Sequence, residues 1–147
     1  MDFTIQLRSR EAELAENLQA RMRLRDVSLF ECEAKGAGPP NTPVEPVSLT
    51  VDLDSGVSLQ TGDGIDFAVT LRVACEDALT FHIDVTYLVR YCYFDDARPA
   101  SKTELAAFRK GSPAMAAWPY IRETVQSLAT RMGFPTDPLP LLRLIRG

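Results

Sequence analysis

Apolar and polar residues alternate with a period of two over three stretches in the middle of the chain. Val47, Leu49, Val51 and Leu53 alternate with Ser48, Thr50, Asp52 and Asp54. Ile65, Phe67, Val69, Leu71, Val73 and Cys75 alternate with Asp66, Ala68, Thr70, Arg72, Ala74 and Glu76. Leu79, Phe81, Ile83, Val85, Tyr87, Val89, Tyr91 and Tyr93 alternate with Thr80, His82, Asp84 and Thr86, until Leu88, Cys92 and Phe94 blur the pattern. Successive side chains of a strand point to opposite faces, so each stretch predicts a strand with one apolar face. Thr61-Gly62-Asp63-Gly64 predicts a turn. Short turns between consecutive strands favour an antiparallel meander. A further strand is predicted over 23–33, where Leu24, Asp26, Ser28, Phe30 and Cys32 fall on one face and Arg25, Val27, Leu29 and Glu31 on the other. Neither of those faces is purely apolar.

The flanking segments read as helices. Residues 9–22 carry a narrow apolar edge of Leu14, Leu18 and Met22, with Ser9 as a cap and Glu11 and Glu13 near the positive N-terminal end. Ser101-Lys102-Thr103-Glu104 has capping-box spacing and predicts a short helix to around Arg109. Gly111-Ser112-Pro113 breaks it, and a second helical piece runs from near Pro113 through Pro119 to Met132. Trp118, Ile121, Val125, Leu128 and Met132 form its apolar stripe. Pro119 suits a first helical turn, where a missing N–H has no intrahelical partner to lose. Gly133 suits the left-handed position past the last turn, and Pro135 blocks continuation. Gly36, Gly38, Pro39, Pro40, Pro43 and Pro46 mark a loop. The segment from Phe134 to Gly147 is proline-interrupted and leucine-rich. The expected fold is α+β: helices on one face of a four-stranded antiparallel sheet, in one domain spanning 1–147.

Composition narrows the function. With 46% hydrophobic and 24% charged residues, a chain of 147 residues can bury a core without disulfide or metal. A formal net charge of -4 argues against a general nucleic-acid binder. Cys32, Cys75 and Cys92 are isolated and show no framework spacing, which fits a reducing compartment. No basic-then-apolar run marks a signal peptide, and no stretch approaches the ~18 apolar residues of a membrane span. A cytoplasmic protein without membrane insertion is expected.

Catalytic chemistry is hard to find. His82 is the only histidine, so a histidine-rich metal site is excluded. It falls on the polar face of a strand near Asp84 and Asp66 and is expected to be a surface histidine rather than a general base. Neither a G-x-S-x-G elbow nor a G-x-x-x-x-G-K-[ST] phosphate loop occurs. Asp52, Asp54, Asp63 and Asp66 lack the loop spacing and closing glutamate of a calcium-binding hand. No enzyme activity, cofactor or metal is expected. Tyr87, Tyr91 and Tyr93 share a strand face and are expected to pack under a helix, an adhesive surface for apolar segments being the functional alternative. Arg8, Arg10, Arg21, Arg23 and Arg25 are interleaved with Glu11, Glu13, Glu16 and Asp26, which predicts ion-paired surface.

Taken in order, several of these segments resemble the SecB-type chaperones. Leu24-Arg25-Asp26-Val27-Ser28-Leu29-Phe30 resembles the first strand of that family and Val51-Asp52-Leu53-Asp54 the second. Phe67-Ala68-Val69-Thr70-Leu71-Arg72-Val73 resembles the third, and Phe81-His82-Ile83-Asp84-Val85 falls where the fourth begins. Trp118-Pro119-Tyr120-Ile121-Arg122-Glu123, with Arg131-Met132-Gly133-Phe134-Pro135 and the leucine-proline tail, resembles the family's C-terminal half. The Trp-Pro-Tyr form resembles the SecB-like chaperones attached to toxin–antitoxin systems. The resemblance spans roughly residues 20–142.

The resemblance implies a tetramer built as a dimer of dimers that holds unfolded polypeptides on apolar grooves without ATP. Carried over, Leu49, Val51 and Leu53 line part of a groove, with Leu139, Leu141 and Leu142 opposite. Trp118, Pro119, Tyr120, Arg122 and Glu123 form a structural or oligomer motif, so truncating Trp118 or Tyr120 is expected to lower stability rather than binding. In export SecB an acidic patch on the sheet engages the translocation motor. The matching positions are Asp26, Phe30, His82 and Asp84, with Glu31 adjacent, so Asp26 and Asp84 are the remnant. The long C-terminal helix of export SecB has no counterpart before Gly147. The implied partner is an antitoxin or other unfolded client, with export of preproteins as the alternative. From another class, the alternative is a small-molecule or lipid-binding domain, which an enclosed pocket in place of an open groove distinguishes.

Overall fold

The computed structural model describes residues 3–37, 49–75, 80–133 and 139–146. In chain order the elements are β1 (Phe3–Leu7), α1 (Ser9–Gln19), β2 (Met22–Ala37), β3 (Leu49–Gln60), β4 (Gly64–Cys75), β5 (Thr80–Tyr93), α2 (Lys102–Arg109), α3 (Ser112–Arg131) and β6 (Leu142–Arg146). The expected four-stranded antiparallel sheet forms in the order β2-β5-β4-β3. Its register sets Ile65, Phe67, Val69, Leu71 and Val73 of β4 beside Tyr91, Val89, Tyr87, Val85 and Ile83 of β5. All of these are at most 9% exposed. Removing each large apolar side chain from water contributes about 1.5–3 kcal/mol, so this face drives folding.

The helices cover that face. α3 lies across β5 and β4 and buries Ala117, Trp118, Ile121, Val125 and Ala129. α2 adds Phe108, whose ring centroid lies 5.0 Å from that of Tyr91 and 5.5 Å from that of Phe67. The buried Tyr87 keeps a partner for its hydroxyl in Thr124 of α3, as a buried phenol requires. The turn between β3 and β4 closes where the Thr61 N–H donates to the Gly64 carbonyl at 3.0 Å. Glycine is needed at 64 because a Cβ there would sit 2.0 Å from the Tyr91 carbonyl oxygen.

β2 departs from simple alternation. Its register against β5 slips between Leu24 and Asp26 and again between Leu29 and Glu31. Each bulge inserts one residue, Arg25 or Phe30, and reverses the phase. Leu24, Val27, Leu29, Cys32 and Ala34 therefore share the helix side, opposite Tyr91, Val89, Tyr87, Val85 and Ile83. Asp26 and Ser28 pair with Arg90 and Leu88 on the open side. The expected grouping of Leu24 with Asp26, Ser28 and Phe30 is thus corrected: apart from Phe30, which is the exposed bulge residue, the apolar residues of both apparent faces belong to one.

Helix ends follow local chemistry. At α2 the expected capping box forms, Ser101 Oγ accepting from the Glu104 N–H at 3.2 Å and Glu104 Oε1 accepting from the Ser101 N–H at 3.0 Å. α1 opens one residue early: Arg8 holds the cap position and its N–H donates to Glu11, so Ser9 is the first helical residue. α3 runs unbroken from Ser112, with Pro113 in its first turn and Pro119 in its interior. The expectation of Pro119 in a first turn is therefore corrected. Its missing N–H leaves the Met115 carbonyl without a helical donor, on a side where Pro119 meets solvent. Gly133 takes the predicted left-handed conformation at φ 76°. Pro135, Leu79 and the part of the glycine-proline loop beyond residue 37 lie outside the described residues.

β1 and β6 have no counterpart in the predicted elements. They pair in parallel as a separate two-stranded sheet, with Phe3 beside Leu142 and Ile5 beside Leu144. Leu144 packs over Gly111, where a Cβ would approach its Cδ1 to 2.6 Å.

A buried ion pair ties α1 to α2. Arg21 donates to both Glu104 oxygens at 2.7 and 2.8 Å and to the carbonyls of Asn17 and Arg98. The Arg21 guanidinium holds the Glu104 carboxyl down at about 2, against the upward push of burial and with help from Ser101. Because the folded value lies below the unfolded one, this stabilisation is complete above the ordinary value of 4.5 and fades as pH falls towards about 2. Glu104→Gln is expected to cost about 2–3 kcal/mol near neutral pH. Acid titration followed by circular dichroism should show the gap between wild type and variant closing over that acid range. A gap that persists unchanged to the acid end would contradict this role.

Candidate functional site

A cleft of about 570 Å³ opens between the two sheets. One wall is β3, contributing Val51, Leu53, Asp54 and Ser55. The other is β1, contributing Phe3, Thr4 and Ile5. Leu71, Ala114, Trp118 and Leu142 form the floor, and Arg109 and Lys110 stand at the end of α2. Period-two alternation explains the β3 wall. Val51 and Leu53 pair with Val73 and Leu71, so they point to the helix side, yet they are only partly buried because no helix lies fully over them.

The Trp118 to Glu123 segment builds the opposite side by holding the tail. Trp118 is 3% exposed, and its Nε1–H donates to the Pro140 carbonyl at 2.9 Å. One turn later, Arg122 Nε donates to the Leu139 carbonyl at 2.8 Å. Residues four apart share a helix face, so this pair grips two successive tail carbonyls. The Phe3 ring meets the Trp118 ring edge-on at 5.5 Å. β1 and the 139–140 segment are thereby fixed beside the cleft.

The anticipated client residues divide. Val51, Leu53 and Leu142 line the cleft together. Leu49 pairs with Cys75 in the β3–β4 register. Leu139 is buried and faces a second depression with Pro119, Arg122 and Glu123, and Leu141 is 61% exposed outside both. Phe3, Thr4, Ile5, Ser55, Arg109 and Lys110 lay outside the anticipated set. Alternation in Phe3-Thr4-Ile5-Gln6-Leu7 was the available signal for the first of these.

The open side of the sheet carries charge. Asp26 lies 3.9 Å from Arg90, which also faces Asp66 at 3.7 Å. Asp84 sits elsewhere, directly opposite Glu33, in a depression shared with Glu31, Thr70, Arg72 and Thr86. Asp26 and Asp84 share this side of the sheet but are not brought together. The bulge at Phe30 is what turns Glu31 to this side. Among the described residues, Glu33, His82 and Asp84 form a group with metal-ligand atoms within 4.8 Å of one another. Glu33 already forms an ion pair with Lys35 at 3.3 Å and has the His82 Nε2 at 3.8 Å, so its carboxylate is engaged by neighbours on the same strands. Among the described residues, no helix is long and apolar enough to cross a membrane.

Leu24 and Leu29 on the helix side of β2 are 48% and 51% exposed, and the Tyr120 ring of α3 is 51% exposed. Truncating these residues should cost an isolated chain little. Trp118→Ala is expected to cost about 3–5 kcal/mol, since it removes a buried ring and the tail's anchor. The expectation of a stability loss at Tyr120 is corrected for an isolated chain: its ring is half exposed, so Tyr120→Ala should cost under ~1 kcal/mol. Arg122→Ala should speed hydrogen exchange at residues 142–146 while the sheet stays protected. Equal melting losses for Trp118 and Tyr120 in a dilute sample would refute this placement of the two rings.

No family model and no curated protein matches the chain. Among solved structures, it is similar to the Mycobacterium tuberculosis SecB-like chaperone Rv1957, determined in complex with a ChAD peptide from the HigA1 antitoxin. That likeness has a TM-score of 0.73 at 20% identity, covering 90% of this chain and 96% of the other. A protein of unknown function from Streptococcus agalactiae aligns over 82% of this chain and 97% of its own at 8% identity and a TM-score of 0.40, too slight a likeness to bear on fold or function. The architecture described above, a four-stranded antiparallel sheet with helices on one face, is the SecB-like fold.

Proposed function

We propose that the protein is an ATP-independent SecB-like holdase and that the cleft between β3 and β1 receives an apolar segment of a non-native polypeptide. The observation that carries this reading is the convergence of Val51, Leu53, Leu71, Trp118 and Leu142 on one open cleft, within a fold shared with a peptide-bound chaperone. Burying apolar client surface there contributes about 25 cal/mol per Å². No bond has to be made or broken, so the reading calls for no catalytic group or cofactor. The neighbour's partner is an antitoxin peptide. An antitoxin segment is therefore the first client to test. Export coupling has weaker support, because Asp26 is engaged by Arg90 and lies apart from Asp84. A small-molecule site is also less favoured, since the cleft lies open between strands. A cytoplasmic setting belongs to the proposal and agrees with the free thiols of Cys32 and Cys92.

Self-assembly belongs to it as well. β2 is an edge strand, and Leu24, Leu29 and the nearby Tyr120 leave apolar surface on the helix side. A second copy would cover this surface, and a dimer of dimers is the proposed assembly.

The test is suppression of aggregation of an unfolded model protein, without nucleotide. Wild type should suppress it. Val51→Ser combined with Leu53→Ser should weaken suppression through roughly tenfold faster client release, with the assembly intact. Leu141→Ser, equally apolar but away from the cleft, should leave suppression unchanged. Light scattering on the same samples should give a dimer or tetramer, and a monomer at micromolar concentration would remove the assembly. Absence of suppression by wild type, for model clients and candidate antitoxins alike, would remove the holdase reading.

A further inference from the structure

We propose that the cleft takes its client as an added β-strand, and that the preferred segment alternates apolar with polar residues and carries an acidic residue at the α2 end. This deepens the holdase reading and rests on the cleft being the client site.

Side chains alternate along a strand, so a strand that shows only its face to a cavity contributes every second residue. Here consecutive residues line the cleft on both walls, Phe3-Thr4-Ile5 of β1 and Leu53-Asp54-Ser55 of β3. Both strands therefore meet the cleft along an edge. β3 is the last strand of its sheet, and β1 pairs with β6 on one side, so among the described residues each has an edge without a strand partner. Such an edge displays backbone N–H and C=O groups that a strand from another chain takes up. The Ser55 hydroxyl oxygen is also buried there with no hydrogen-bond partner among the described residues. The wall from Val51 to Ser55 runs roughly 13 Å at a strand's rise of about 3.3 Å per residue, the length of about four client residues.

The floor under that strand is apolar and its end is cationic. Alternate client side chains would enter between Leu71, Trp118 and Leu142, and the others would point to water. Of the two cations at the α2 end, Lys110 is held by Glu11. Arg109 is exposed and has no ion-pair partner among the described residues. A client carboxylate gains a partner there, and a client lysine meets repulsion.

The experiment uses the intact protein and short fluorescein-labelled peptides that alternate valine with threonine and end in glutamate. Anisotropy reads binding as a single N-methyl group is walked along the peptide backbone. The client strand is taken to pair with the β3 edge alone, so methylation should weaken binding roughly tenfold at every second amide, those facing β3, and little at those between. Replacing the glutamate by lysine should weaken binding several-fold, and Arg109→Glu, an exposed change whose folding circular dichroism verifies, should reverse that preference. Binding without the period-two pattern would overturn the strand mode while the holdase reading stands. Indifference to the charge swap would overturn the acidic requirement. Aggregation suppression without binding of any such peptide would also overturn the proposal. Loss of both peptide binding and suppression would remove the holdase reading itself.

Discussion

A sheet with one largely apolar face has to be covered, and here the cover is narrower than the sheet. A helix with its side chains is about 10 Å across, whereas four strands spaced about 4.8 Å apart extend well beyond it on either side. α3 and Phe108 of α2 seal the central strands β4 and β5, whose inward residues are almost fully buried. The outer strands are left partly bare. On the β2 side this leaves Leu24 and Leu29 exposed. On the β3 side it leaves the cleft above Val51 and Leu53. The proposed assembly surface and the proposed client surface are thus two consequences of the same incomplete cover.

The cleft exists because β1 and β6 return to it. Trp118 sits at that junction, packed on Phe3 of β1 and donating its indole N–H to the tail at Pro140. Arg122 repeats the grip one turn on, at Leu139. Without these bonds, a two-stranded parallel ribbon such as β1 with β6 has little to hold it, since two strands are marginal alone. The conserved physics of a buried polar group is satisfied here by the tail backbone, so the same residues that anchor the helix also shape the binding wall.

The legible parts of the sequence were those where one rule acted alone. β4 alternates throughout, β5 does so until Leu88, and β3 does so to Asp54, short of its end at Gln60; the pairing of the three follows. The Ser101 capping box and the Gly133 terminator act within one turn, so they too were readable. β2 was harder, because bulges at Arg25 and Phe30 reverse its phase and scatter one apolar face over two apparent ones. β1 and β6 were not anticipated, since each finds its partner at the other end of the chain. That pairing also explains the mixed result for the site. Val51 and Leu53 were visible from alternation, whereas Phe3, Ile5 and Arg109 enter the cleft only through tertiary packing. Leu141 looked equivalent to its neighbours in sequence, yet the tail turns Leu139 and Leu142 inward and leaves Leu141 outside.

The function proposed here places one demand on the molecule: apolar client surface must meet the cleft in preference to the other bare surface. Methyl-labelled nuclear magnetic resonance reads this directly. When an unfolded model polypeptide is added to the assembled protein, the methyl signals of Val51, Leu53, Leu71 and Leu142 should shift or broaden together, with those of Leu24, Leu29 and Leu141 little changed. Changes confined to Leu24, Leu29 and Leu141, or none at the cleft while the client is held, would contradict it.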